Sequence, residues 1–279
     1  HFVRRRQRQM CIRDRIYEGL FRDGLFHGEG TLFRGNGSKY ISGKWVFGKP
    51  HGPVQFYFPD NGLLQYEGGL KKMDDGSFVF QGQGTLYNQT GQSVYQGLWE
   101  DGTRSGNGTA WLEDGSIYSG NWVDDYPDGK GTYLFPDGTE YEGGFIRGKK
   151  HGQGTFKEAD GFVSYDGEWK DGQRFGKGRV NKRDSSSYDG DWLDGKPHGN
   201  GMFTYPDGRV YTGTMKQGLR QGLGELRRSD GSIAYEGEWD RNLRHGKGKA
   251  YSASGLIKFD GDFLAVSYTH LRAHETILD

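Results

Sequence analysis

The chain has 279 residues, and its 37 basic and 37 acidic side chains give a formal net charge of zero. Balanced charge removes the electrostatic attraction that drives nonspecific nucleic-acid binding, so we expect no nucleic-acid partner. Only 32% of the residues are hydrophobic, yet 15% are aromatic and 50 are glycine. This composition excludes a conventional aliphatic core and predicts that Tyr, Trp and Phe rings supply the buried surface.

Cysteine usage and hydropathy indicate the compartment. Cys11 is the single cysteine, so no internal disulfide can form. No apolar run reaches the ~20 residues that a membrane-spanning helix needs. These features predict a soluble protein of a reducing compartment, which we expect to be the cytoplasm.

Residues 1–15 share no periodicity with the sequence that follows. The string at residues 4–14 resembles translated library-adapter sequence, and we expect residues 1–15 to be an artefactual tail. The functional alternative is a basic arm at residues 4–8 that directs nuclear import or binds lipid.

Residues 16–264 repeat one motif. A large apolar residue, a glycine two positions later and a second large residue after two more recur in steps of 23 to 29 residues. A regular period over most of a chain indicates an array of equivalent structural units. The first residues of the eleven copies, ten full and one partial, are Tyr17, Ile41, Tyr66, Tyr95, Tyr118, Tyr141, Tyr165, Tyr188, Tyr211, Tyr235 and Phe259.

Each copy contains two further glycine clusters. The first resembles His-Gly-x-Gly, as at residues 151–154, and the second ends in Asp-Gly, as at residues 160–161. Asp-Gly is typical of a type I turn followed by a left-handed glycine. Each unit is therefore predicted to be a strand, a turn, a second strand and a second turn. The chain is predicted to be all-β, an elongated single-sheet ribbon of about ten stacked antiparallel hairpins.

Alternation along a strand separates two faces. Tyr165, Gly167 and Trp169 point to one side, whereas Asp166 and Glu168 point to the other. One face is thus predicted to be aromatic and buried, and the other wet and acidic. The central glycine is expected to leave room for a ring from the neighbouring hairpin. The rings expected to hold the array together are Tyr95, Trp99, Tyr118, Trp122, Tyr141, Phe145, Tyr165, Trp169, Tyr188, Trp192, Tyr235 and Trp239.

The unit that starts at Tyr66 is longer than the others. It carries about five extra residues between Leu70 and Gly82, which predicts a longer loop. Phe78 and Phe80 are expected at its tip, where they form a candidate docking site. The alternative interpretation is a surface insertion that the fold tolerates.

Residues 265–279 also lack the repeat and are expected to be an artefactual tail of the same origin. The last copy stops just after Phe263, which fits a native chain that continues beyond one or both ends.

The repeated motif resembles the membrane occupation and recognition nexus (MORN) repeat, most clearly at residues 141–160 and 188–207. The resemblance covers residues 16–264. It implies an elongated β array of the kind found in scaffolds, including ciliary spoke-head proteins, cytoskeletal organisers and junctional membrane tethers. It also implies a third context, because similar arrays precede the catalytic domains of some phosphatidylinositol phosphate kinases and lysine methyltransferases.

Catalytic chemistry is not predicted. His27, His51, His151, His198 and His245 occupy one turn position in units ~10 Å apart, a spacing that does not suit one metal ion. No phosphate-binding loop or nucleophile motif occurs. The sequence therefore predicts a chain that is not an enzyme, with no catalytic residues, no cofactor and no metal.

Three functions remain open. The first is a scaffold that binds a protein partner or a second copy of itself. The second is recognition of phosphoinositide membranes by short basic pairs, among which Lys149 and Lys150 are the candidate lipid contact. The third is the regulatory array of a truncated phosphatidylinositol phosphate kinase or lysine methyltransferase. Because lipid-binding patches cluster four or more cations, the sequence favours the scaffold.

Overall fold

The computed structural model describes residues 8–12 and 15–266. These residues form 22 β-strands and no helix. No helix that could span a membrane is therefore found in this part of the chain. The strands are β1 (Arg8–Ile12), β2 (Arg15–Arg22), β3 (Leu25–Phe33), β4 (Lys39–Val46), β5 (Lys49–Tyr57), β6 (Leu64–Lys72), β7 (Phe78–Tyr87), β8 (Ser93–Glu100), β9 (Thr103–Trp111), β10 (Ile117–Val123), β11 (Tyr126–Leu134), β12 (Glu140–Ile146), β13 (Lys149–Lys157), β14 (Val163–Lys170), β15 (Gln173–Asn181), β16 (Ser187–Leu193), β17 (Lys196–Thr204), β18 (Val210–Lys216), β19 (Leu219–Arg227), β20 (Ile233–Asp240), β21 (Leu243–Tyr251) and β22 (Ile257–Val266).

The chain divides into two compact units. The first contains His1–Asp137 with Phe145–Gly148, and the second contains Gly138–Gly144 with Lys149–Asp279. In the first unit, β1 to β11 pair in sequence order, each antiparallel to the next. In the second, β13 to β22 do the same. The prediction of an all-β array of antiparallel hairpins is confirmed.

A β-bulge inside each hairpin explains the first glycine of the His-Gly-x-Gly cluster. In β14 and β15, Gly167 pairs with Gly178 and Trp169 pairs with Arg174. Two steps along β14 thus match four along β15, and the surplus bends the second strand. Gly176 lies in this surplus with a left-handed φ of 60°, a conformation that glycine adopts without steric cost.

The two turns of each unit have different chemistry. The turn within the hairpin has two residues, Asp171 and Gly172, with φ of 50° and 86°. Two left-handed residues suit the right-handed twist of a hairpin. The turn between hairpins is closed by the Gly161 N–H, which donates to the Glu158 carbonyl at 2.8 Å. Asp160 Oδ1 accepts from the Phe162 N–H at 3.1 Å, so the Asp-Gly signal predicted this turn correctly.

Burial falls on one face of each strand, where the repeat rings lie. Along β14, Tyr165, Gly167 and Trp169 are buried, while Asp166 is exposed. The repeat tyrosines and tryptophans are at most 7% exposed, so this face is the core, although Phe259, at the tyrosine position of the last copy, is 46% exposed. The buried rings of the array are Tyr17, Trp45, Tyr66, Tyr95, Trp99, Tyr118, Trp122, Tyr141, Phe145, Tyr165, Trp169, Tyr188, Trp192, Tyr211, Tyr235, Trp239 and Phe263.

The two expected tails lie mostly outside the described residues. Arg8–Ile12 of the first tail form β1, which pairs with β2. The second tail contributes only the end of β22. Residues 1–7, 13–14 and 267–279 are outside the described part, and the artefactual origin of residues 1–15 and 265–279 stays a prediction.

Candidate functional site

Each repeat tyrosine lies flat over the two glycines of its own hairpin. A Cβ atom added at Gly178 would stand 2.3 Å from the Tyr165 hydroxyl oxygen, and one added at Gly167 would stand 2.7 Å from it. The hydroxyl donates to the Glu168 carbonyl at 2.9 Å. The expectation that the gap admits a neighbouring hairpin's ring is therefore wrong. The register sets two glycines opposite each other, and the ring two residues earlier on the same strand folds onto them.

One unit shows the reason for the glycines by departing from the pattern. Ile41 replaces the tyrosine, and Val54 replaces the second glycine. The two side chains are 0% and 1% exposed, so they fill the space that the ring takes elsewhere. Sequence reasoning recorded Ile41 but missed Val54, and the signal was the coincidence of both departures in one unit.

In the units that contain it, the tryptophan connects its hairpin to the preceding one. Trp192 packs edge-to-face on Tyr188, with ring centroids 5.3 Å apart, and on Tyr165 of the previous unit at 5.5 Å. Its indole N–H donates to the Gly178 carbonyl at 2.8 Å. Such edge-to-face pairs are each worth about 0.5–1.5 kcal/mol beyond area burial. Ring contacts and one hydrogen bond thus hold neighbouring hairpins together.

A further side chain lies above the rings at what we name the cover position, the residue that pairs across the hairpin with the tryptophan or with the residue in the tryptophan's place. Arg174 is the example: its guanidinium carbon lies 4.8 Å from the Tyr165 ring centroid and 5.3 Å from that of Trp192 in the next unit. Lys150 Nζ lies 4.8 Å from the Trp169 centroid. The cover residues include Phe26, Pro50, Phe80, Arg104, Pro127, Lys150, Arg174, Pro197, Arg220 and Arg244.

Burial perturbs the titratable groups of this face. Desolvation raises the pKa of Tyr165 to about 12. Desolvation also lowers the pKa of Lys150, with the Arg174 charge as a smaller cause, and lowers the pKa of Arg174 itself. The face therefore holds half-buried cations against aromatic rings, an arrangement in which cation–π attraction offsets part of the desolvation cost.

The cations border an open depression. Its volume is about 360 Å³, and its walls include Lys150, Arg174 and the rings of Phe156 and Trp169. Gly172 and Gly195, from two successive hairpin turns, and Gln173 form the rest of its lining. Cationic, aromatic and backbone groups thus meet at one place in the second compact unit.

The structure places Phe78 and Phe80 in β7 and not in a loop. The long connection consists of residues 73–77, because Lys72 already pairs with Phe78. Phe80 occupies the cover position and stacks on Tyr66 at 3.9 Å. Phe78 packs near Trp45, with centroids 6.2 Å apart. The predicted placement at a loop tip is therefore wrong, since the insertion lengthens both strands, and the docking role stays a prediction.

Lys149 and Lys150 are adjacent in β13 but differ in environment. Lys149 is exposed, whereas Lys150 is half-buried, with Nζ 5.1 Å from the Tyr141 ring centroid and 4.8 Å from that of Phe156. Successive strand residues point to opposite faces. The pair does not form one cationic patch, and its role as a lipid contact stays a prediction.

The polar face carries both signs of charge. The expectation of an acidic face considered only the first strand of each hairpin, and second strands bring basic residues into register with it. In the strand register, Arg179 lies directly opposite Asp166 on one neighbouring strand and Asp189 on the other. Lys177 forms an ion pair with Asp191. The face is therefore mixed in charge.

Comparison with protein families agrees with this geometry. The model of the MORN repeat matches nine segments, residues 17–39, 42–63, 95–117, 118–140, 141–162, 165–180, 188–208, 211–233 and 235–257. The chain belongs to the MORN repeat family. The resemblance seen in the sequence is thus confirmed. The units beginning at Tyr66 and Phe259 are not matched, although the Tyr66 unit has the MORN geometry, with its hydroxyl donating to the Gly69 carbonyl at 3.1 Å.

Solved structures include distant matches to this MORN chain. The wild-type TCP10 domain of Danio rerio CPAP is 15% identical, with a TM-score of 0.27, and the match covers 83% of this chain and all of that domain. The SAS-4 (dCPAP) TCP domain of Drosophila melanogaster, solved with a proline-rich motif of Ana2 (dSTIL), is 12% identical, with a TM-score of 0.27. This match covers 70% of this chain and 90% of that domain. No curated protein matches the chain. TM-scores this low carry no functional argument.

Proposed function

We propose that this MORN array is a non-catalytic scaffold that holds a protein partner against the face formed by its cover residues. The observation that carries the proposal is that different positions of each unit serve packing and surface chemistry. Tyrosine, glycine and tryptophan are used for packing, whereas the cover position above them varies among Arg, Lys, Pro and Phe. A face that repeats in geometry and varies in chemistry suits recognition of an extended partner.

The surface chemistry supports binding of protein over binding of membrane. Lys149 and Lys150 do not form one patch, and Lys71 and Lys182 belong to other units. Lys71 already pairs with Asp101 at 2.6 Å. An anionic membrane is bound by four or more cations clustered on one surface. A cytoplasmic location, with attachment to cytoskeletal or ciliary structures, belongs to this proposal.

Proximity labelling in the native cell followed by reconstitution with purified partner tests the scaffold role. The expected result is a complex between purified proteins whose affinity falls when several cover residues are changed together. Polar-face variants such as Asp166→Asn serve as the control, because that side chain is exposed. A complex that is insensitive to every cover change contradicts the proposal.

Co-sedimentation with vesicles tests the membrane alternative. Vesicles with and without phosphatidylinositol bisphosphate are compared, using the wild-type chain and Lys149→Glu combined with Lys150→Glu. We expect no salt-sensitive binding. Binding that requires the phosphoinositide and is abolished by the double substitution would establish the membrane function in place of the scaffold.

A further inference from the structure

In the first compact unit, one cover arginine is bound by a side chain of the next hairpin turn. Arg104 donates from Nε to Asp125 Oδ1 at 2.9 Å and from Nη2 to the Asp125 carbonyl at 2.9 Å. The same carboxylate oxygen accepts from the Arg104 backbone N–H at 2.9 Å. Asp125 holds the second position of its two-residue turn, with a left-handed φ of 67°. The turn thus delivers a carboxylate to the cover position.

The second compact unit contains the same arrangement, with a side-chain amide in place of the carboxylate. Asn242 Oδ1 accepts from the Arg220 backbone N–H at 2.9 Å, and the Asn242 carbonyl accepts from Arg220 Nη2 at 2.7 Å. Asn242 has a φ of 72°. An oxygen ligand from the next turn is therefore a repeated way to satisfy a cover arginine.

At Arg174 the corresponding turn residue is Gly195. Its φ of 75° and its N–H, which donates to the Arg174 carbonyl at 3.0 Å, match the backbone of Asp125. A Cβ atom added at Gly195 meets no atom within 4 Å, and the same is true at Gly172 beside Lys150. The volume that the Asp125 carboxylate fills beside Arg104 is thus open beside Arg174, and it forms part of the 360 Å³ depression.

We propose that this depression, the Lys150–Arg174 pocket, binds two carboxylates from an acidic segment of a protein partner. The proposal deepens the scaffold function and rests on it. Carboxylate and amide oxygens are the ligands that the chain itself supplies to the guanidinium groups of Arg104 and Arg220, from Asp125 at 2.9 Å and from Asn242 at 3.3 Å. The flat rings of Trp169 and Phe156 beside the cations provide a surface for the apolar parts of the same segment.

The spacing of the two cations defines the acidic segment. Lys150 and Arg174 occupy the same position in successive hairpins, which are two strand spacings or ~10 Å apart. A polyproline II segment rises ~3.1 Å per residue with three residues per turn, so two acidic residues three positions apart point to the same side and span ~9 Å, close to that separation. The matching segment is Glu-x-x-Glu. Two cations fall short of the four or more that a phosphoinositide patch clusters, so a peptide fits better than a membrane.

Fluorescence anisotropy with a labelled Glu-Gly-Gly-Glu peptide, at low salt on the whole chain, tests the proposal. The wild-type chain is expected to bind, and Gly195→Asp is expected to weaken binding about tenfold because the new carboxylate occupies the place of the peptide's. Arg174→Gln is expected to weaken binding by a similar factor without altering the turn. Gly218→Asp is the matched control: it changes the same turn position, but its cover residue is Pro197, so the affinity is expected to stay at the wild-type value.

Several results would overturn the assignment. They are a wild-type chain that does not bind the peptide, a Gly195→Asp chain that binds it as the wild type does, and equal losses in Gly195→Asp and Gly218→Asp. If the chain binds phosphatidylinositol bisphosphate vesicles but not the peptide, and Gly195→Asp weakens that binding, the pocket is a lipid-binding site and the peptide proposal is wrong. A reconstituted partner complex that Gly195→Asp and Arg174→Gln leave unchanged refutes the pocket while the scaffold function stands.

Discussion

The tightest steric constraint in the array lies between a tyrosine ring and the glycine beneath it, and Gly178→Val tests it directly. The new Cβ atom would stand 2.3 Å from the Tyr165 hydroxyl oxygen and 2.7 Å from Cζ, both well inside contact distance. The ring must move, and its hydrogen bond to the Glu168 carbonyl, 2.9 Å long, is lost. The unit that has Ile41 and Val54 in place of tyrosine and glycine indicates the compensating change, Tyr165→Ile.

The magnitudes follow from overpacking, hydrogen bonding and cavity formation. Overpacking of ~1–3 kcal/mol and a lost hydrogen bond of ~1 kcal/mol give a destabilisation of about 2–4 kcal/mol for Gly178→Val. Tyr165→Ile alone leaves a cavity and costs about 2–4 kcal/mol. The double variant reproduces the packing of Ile41 on Val54, so we expect it to lose only about 2–3 kcal/mol. The coupling free energy is therefore about 3 kcal/mol.

Urea unfolding of the four proteins, followed by tryptophan fluorescence and by hydrogen exchange at the amides of β14 to β16, measures this coupling. Hydrogen exchange is needed because an array can lose one unit without unfolding as a whole. Additive effects in the double variant would refute the reasoning, since they would mean that ring and glycine do not share the same space. Tyr165→Ile paired with Gly161→Asn serves as a control, because a Cβ atom added at Gly161 meets no atom within 4 Å and asparagine tolerates the left-handed φ of 84° at this position.

Three further predictions concern the same packing. Trp192→Phe removes the indole donor to the Gly178 carbonyl, 2.8 Å away, and is expected to cost about 1–2 kcal/mol in urea unfolding; an unchanged midpoint would show that ring area alone joins the hairpins. Phe78→Ala is expected to cost about 1–2 kcal/mol through lost packing near Trp45, measured by hydrogen exchange at β4, whereas a purely docking role predicts no change. Burial raises the pKa of Tyr165 from 10.0 to about 12, so its contribution to stability is complete below about pH 10 and is lost as the pH rises to about 12; the tyrosinate absorbance that Tyr165→Phe removes is expected to appear together with unfolding in that window, and its appearance before unfolding would contradict this.

The hairpin architecture could be predicted because its causes are local. The strand period of two, the left-handed residues of the turns and the Asp-Gly signal each act over a few residues, and all recur in every unit. The bulge at Gly176 and the ring over Gly178 could not be read in the same way, because they depend on the register between two strands. A glycine between two aromatic residues indicates a close approach, but it does not identify the group that approaches.

The candidate site was harder to predict for a related reason. Pairs of neighbouring residues such as Lys149 and Lys150 look like one cluster in the sequence, yet alternation along the strand sends them to different faces. The groups that meet at the Lys150–Arg174 pocket are instead one full repeat apart. Counting cations along the chain therefore misplaces the charge, whereas comparing the same position in successive repeats finds it.

The repeat thus separates what holds the array together from what it presents. Tyrosine, two glycines and tryptophan satisfy one another, so the cover position can change from Pro197 to Arg174 without changing the hairpin beneath it. The turn residue of the next unit then decides whether a cover cation is occupied, as Arg104 is by Asp125, or open, as Arg174 is beside Gly195. Because these two choices leave the packing of tyrosine, glycine and tryptophan in place, we expect exchange of cover and turn residues between units to move a binding site along the array, with the unfolding free energy changed only by the contacts of the cover residue with the rings.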